Sequence, residues 1–102
     1  MDIVLKKRFE GQEDSYLTDE YVCKITDFLG SYRKCYLYDA RKLHDGLFMI
    51  RVPGRTVGGI WCDAALRIEK VQMDESICGS WFPENTAELL QKCYCGTQLK
   101  IA

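Results

Sequence analysis

This sequence has little that interrupts a chain. It holds two prolines, Pro53 and Pro83, in 102 residues, and no tract rich in Pro, Gly or Ser. That excludes a low-complexity linker and gives no reason to expect a disordered tail. No apolar run approaches the roughly 20 residues of a membrane-spanning helix, so no membrane partner is expected. Positive charge is not in excess either. Fourteen Lys and Arg against fifteen Asp and Glu give a net charge of -1. General nucleic-acid binding needs surplus cations to replace counterions, and it is therefore not expected.

Catalytic motifs are absent as well. Gly58-Gly59 lacks the third glycine and the following Lys-Ser/Thr of a phosphate loop. Ser80 lacks the second glycine of a nucleophile elbow. There is no Cys-x-x-Cys redox pair. The N-terminal Ile3-Val4-Leu5 is followed by Lys6-Lys7-Arg8, the reverse of a secretory signal. A cytoplasmic location is the resulting expectation. There the six cysteines (Cys23, Cys35, Cys62, Cys78, Cys93 and Cys95) would stay reduced and serve as small hydrophobes.

What is present is an ordinary globular composition, 47% apolar and 28% charged, of a length that fits one compact domain over residues 1–102. Charge is spread unevenly. Glu10, Glu13, Asp14, Asp19 and Glu20 cluster without a base, whereas Arg33, Lys34, Arg41, Lys42, Arg51 and Arg55 crowd the middle. Such asymmetry can steer a charged partner, or can simply mark two solvated faces.

The apolar pattern predicts a first strand from Ile3 to Phe9 and a helix near 18–30. Thr18 caps that helix, Tyr21, Ile25, Phe28 and Leu29 form its stripe, and Gly30 stops it. Tyr32 to Tyr38 reads as a strand with Tyr32, Tyr36 and Tyr38 on one face. Leu47 to Val52 is a short apolar run, expected to be a buried strand. Pro53-Gly54 is the strongest turn signal and joins it to a strand from Thr56 to Cys62, where Gly58 and Gly59 mark a bulge or close approach. Residues 64–73 fit a strand better than a helix. A second helix is expected near 84–95, with Asn85 and Glu88 in capping-box spacing, then a strand from Thr97 to Ala102. The fold class is α+β: a mostly antiparallel sheet of about five strands with two helices on one face.

The expected function is a small non-catalytic protein-interaction module. An inhibitor or accessory protein that occludes a partner surface, such as a phage or mobile-element anti-defence protein, belongs to this class. Trp, Tyr and Arg are the residues enriched at interface hot spots, and Arg51, Arg55, Trp61, Trp81 and Tyr36 are the candidate contacts to a protein partner. Two alternatives stand beside it. One is a small enzyme or ligand binder using Cys62, His44 and Asp63 as thiol, base and orienting acid. The other is a metal-stabilised domain using Cys93 and Cys95, although their spacing is shorter than structural zinc sites use. No cofactor and no metal are assigned.

Overall fold

The computed structural model describes residues 2–8 and 19–102. Seven strands form a single sheet: β1 (Asp2–Lys7), β2 (Glu20–Val22), β3 (Tyr36–Asp39), β4 (Leu47–Val52), β5 (Arg55–Cys62), β6 (Ile68–Met73) and β7 (Gln98–Ile101). Their order is β6-β5-β4-β3-β2-β1-β7. Neighbours are antiparallel except β1 and β7, which run parallel. Helices α1 (Lys24–Gly30) and α2 (Thr86–Tyr94) complete the α+β domain. The sheet is thus larger than the five strands expected, and mixed.

Alternation along the strands sets the core. Ile3 and Leu5 of β1, Phe48 and Ile50 of β4, and Ile60 of β5 turn inward and are buried. They meet Ile25 and Leu29 of α1 and Leu90 of α2 in one apolar cluster. β4 is half-buried rather than buried on both sides, because Leu47, Met49 and Arg51 alternate outward.

The sheet closes on itself. Arg67, just ahead of β6, bridges Gln98 of β7. The Leu99 N–H donates to Leu66 O, Ile68 N–H to Thr97 O and Gly96 N–H to Ile68 O, each at 2.8 Å. Further along β6, Gln91 of α2 accepts the Val71 N–H through Oε1 at 2.7 Å. Strand edges that would invite stray pairing are thereby occupied. Closure places Leu66 in the left-handed region at φ 62, which costs a non-glycine residue about 1–2 kcal/mol. Asp63 offsets that cost, since its Oδ1 accepts N–H bonds from Ala65 and Arg67, both at 2.9 Å.

Several expectations require correction. The helix expected from residue 18 does not include residues 20–22. Glu20–Val22 is a strand against β1 and β3, and α1 begins only after Cys23, whose backbone N–H donates to Thr26 Oγ1 at 2.7 Å. Gly30 is not among the glycines with positive φ, and the helix ends through Ser31 in a right-handed conformation. Thr18 and Phe9 lie outside the described residues. Tyr32 is not in a strand; it follows α1, with its ring 6.2 Å from Phe28 and 6.3 Å from Phe82. The strand expected over 64–73 is present only as Ile68–Met73; residues 64–65 form a turn, and Arg67 makes the isolated bridge ahead of β6. The hairpin across Pro53-Gly54, α2 and β7 fall where the sequence places them, but Asn85 makes no side-chain cap bond, so the capping box expected with Glu88 does not form.

Candidate interaction face

The outward side chains of β3, β4 and β5 form ordered rows. Tyr36 lies opposite Arg51, and Tyr38 opposite Met49. Arg51 then faces Thr56, Met49 faces Gly59, and Leu47 faces Trp61. Trp61 in turn faces Lys70 of β6. Cations stand over the rings. The Arg8 guanidinium sits 3.6 Å from the Tyr36 centroid, Arg51 lies 5.6 Å from that of Tyr38, and Lys70 lies 5.6 Å from that of Trp61. Glu20 on the adjoining β2 is ion-paired with Arg8.

The two consecutive glycines shape this face. The register shifts between Ile50 and Arg51, which places the bulge at Val57, beside the glycine pair and not on it. A Cβ on Gly59 would lie 2.9 Å from Trp61 Cη2 and 3.3 Å from Leu47 Cδ1. The indole therefore folds back over Gly59 and covers it. A Cβ on Gly58 would lie 2.4 Å from Gln72 O, so this glycine allows a close approach of β5 and β6. The result is a shallow groove of about 350 Å³, lined by Leu47, Met49, Thr56, Gly58, Gly59 and Trp61 among others. Beside it the Nε of Arg51 is buried and has no hydrogen-bond partner among the described residues. Such unsatisfied buried donors are rare in folded proteins.

The five candidate contacts fall into two groups. Tyr36, Arg51 and Trp61 share the outer face. Arg55 and Trp81 meet elsewhere, with the Arg55 guanidinium 5.1 Å and that of Arg33 4.7 Å from the Trp81 ring centroid. Arg55, beside the hairpin tip, keeps 43% of its side chain exposed. It is opposite Val52 on the inward side of β4 and is ion-paired with Asp74 at 3.0 Å. Bonds from Ser76 and Arg55 hold the Asp74 carboxyl below its ordinary range. Leu47, Met49, Gly59 and Lys70 were not legible as face residues, because which side of β4 and β5 is covered depends on where the helices lie. The acidic stretch is described only at Asp19 and Glu20.

The other constellations are arranged for different tasks. Burial, with Asp63 adding to it, pushes the Cys62 thiol up to about 12, which opposes the thiolate that nucleophilic chemistry needs. Asp63 spends Oδ1 on the turn at Leu66, and His44 Nδ1 lies 3.0 Å from Asp45 O in an exposed turn. All six cysteines are free. Cys93 is exposed, and Cys95 bonds through Sγ to Glu69 O at 3.4 Å. Among the described residues no group of three or more His, Cys, Asp or Glu could hold a metal ion. Nor, among the described residues, is any helix long and apolar enough to cross a membrane. Comparison with protein-family models, with curated proteins and with solved structures returned no match.

Proposed function

We propose that this chain is a non-catalytic protein-interaction domain that acts by covering part of a partner's surface with the outer face of β3, β4 and β5. One observation carries the reading: Tyr36, Tyr38, Met49, Arg51 and Trp61 stand outward on adjacent strands, around a groove floored by glycine. Aromatic, Met and Arg side chains are those that interfaces favour. Rings on a sheet are rigid, so they lose little entropy on docking. Arg55 and Trp81, already engaged with Asp74 and Arg33, serve the fold in this reading rather than the contact.

The test is site-specific photo-crosslinking in the organism that makes the protein. A benzophenone side chain is placed at Tyr36, at Met49, or at the exposed Glu88 and Lys92 of α2. A discrete adduct of one mass from Tyr36 and Met49, and none from Glu88 or Lys92, is expected. Adducts from α2 alone, or the same diffuse adducts from every position, would reject the assignment.

A further inference from the structure

The outer face also carries information about the chemistry of what it binds. Arg51 is central to it. Its neighbours on the same face, Met49 two residues before and Thr56 across the strand, both line the groove. The guanidinium is positioned by the Tyr38 ring, and Arg51 takes part in none of the ion pairs among the described residues. A planar guanidinium is suited to a carboxylate, which it can bind through two parallel N–H bonds. Lys70, stacked on Trp61, adds positive charge on one side, and Arg8 is stacked on Tyr36 on the other. Glu20, the acid on β2, is engaged by Arg8. The groove itself offers Leu47, Met49 and the Trp61 ring, which match an apolar side chain, and its one charged lining residue, Asp74, is ion-paired with Arg55.

We infer that the contact segment of the partner is an acidic one, which places a carboxylate on Arg51 and an adjacent apolar side chain in the groove over Gly58 and Gly59. This rests on the interaction-domain reading and narrows it to one chemistry. The polarity is complementary: cations stacked on rings outside, an apolar cleft between them. Complementary charge of this kind speeds encounter and fixes register.

A random peptide display library selected against the whole protein tests it, with selection repeated on Arg51→Gln. The expected pool is enriched in segments that join Asp or Glu to a large apolar residue. Replacing the acid by its amide in a selected peptide should weaken binding on the order of tenfold, and this arm needs no change in the protein. Binding should also shift the Trp61 indole N–H resonance. Selected peptides that are no more acidic than the input, or that bind equally well as amides, overturn the acidic inference and leave the interaction face standing. A selection that enriches nothing, or peptides that leave the Trp61 resonance in place, overturn the face as well. A single-stranded DNA oligomer that binds more tightly than every selected peptide, and loses that binding in Arg51→Gln, also overturns the inference by assigning the site to phosphate.

Discussion

Gly58 and Gly59 are adjacent in sequence, yet adding one methyl group to each has unequal consequences. At Gly58 the new Cβ would sit 2.4 Å from Gln72 O and 2.9 Å from Met73 Sδ. Carbon and carbonyl oxygen normally stay about 3.3 Å apart or more, so β5 and β6 would have to separate by roughly 1 Å, out of a strand spacing of about 4.8 Å. Backbone cannot swing aside as a side chain can. Overpacking of this kind costs about 1–3 kcal/mol, and the backbone contact puts Gly58→Ala at the upper end, about 2–3 kcal/mol. For a domain of this size that corresponds to a fall in Tm of about 10–20 °C. At Gly59 the obstacles are the Trp61 ring end and a Leu47 methyl, both able to move. Displacing the ring costs about 0.5–1.5 kcal/mol, and the stiffer unfolded chain returns about 0.4–1 kcal/mol. Gly59→Ala should therefore change stability by less than about 1 kcal/mol, while shifting one of the two tryptophan indole N–H resonances strongly. Thermal melts of both variants, with a proton–nitrogen spectrum of each, make the comparison. Equal losses, or a greater loss at Gly59, would refute the assignment of backbone approach to one glycine and ring cover to the other.

Three further outcomes follow from the same geometry. Burial pushes the thiols of Cys35 and Cys62 up to about 11 and about 12 from an ordinary 9.0. Both groups keep their proton more tightly when folded, so their contribution to stability is complete below pH 9 and is lost as pH rises towards 11 and 12. The Tm of the natural chain should fall more steeply across that window than the Tm of a Cys35→Ala, Cys62→Ala double variant, and parallel curves would contradict the burial argument. Asp63→Ala removes both N–H bonds that hold the left-handed Leu66 and should cost about 1–3 kcal/mol, with faster amide exchange at Leu99 across the sheet closure; exchange unchanged there would mean that Asp63 does not support it. Gly46→Ala meets both a φ of +74 and a Cβ position 2.1 Å from Cys62 O. A loss of about 3 kcal/mol or more is expected in a urea melt, and a variant as stable as the natural chain would show that the turn is misplaced.

The part of the candidate site that was legible follows from residue type. Trp61, Arg51 and Tyr36 attract attention as hot-spot residues wherever they stand. Their grouping was not legible. Arg51 and Arg55 flank the same two-residue turn, yet Arg51 lies opposite Thr56 on the groove face while Arg55 lies opposite the buried Val52 and is ion-paired with Asp74. Only the hairpin register and the bulge at Val57 decide this. The apolar run of β4 hid its alternation for a related reason: Leu47 and Met49 are as apolar as Phe48 and Ile50, so no polarity contrast marks the outer side.

What the sequence determined by itself is local. Pro53-Gly54 can only turn, which gives the β4–β5 hairpin, and Gly54 indeed takes φ +83. The spacing of α2 and the alternation of β7 are each satisfied within a few residues. Tertiary structure decided the rest. Tyr21 and Ile25 lie four apart and suit one helix, but Tyr21 is claimed by β3, where it pairs with Leu37, and the helix starts late. Closure through Leu66, Ile68 and residues 96–99 joins segments about thirty positions apart. Such pairings depend on which strands meet across the core. A periodicity read along the chain carries no term for a neighbour that arrives from elsewhere.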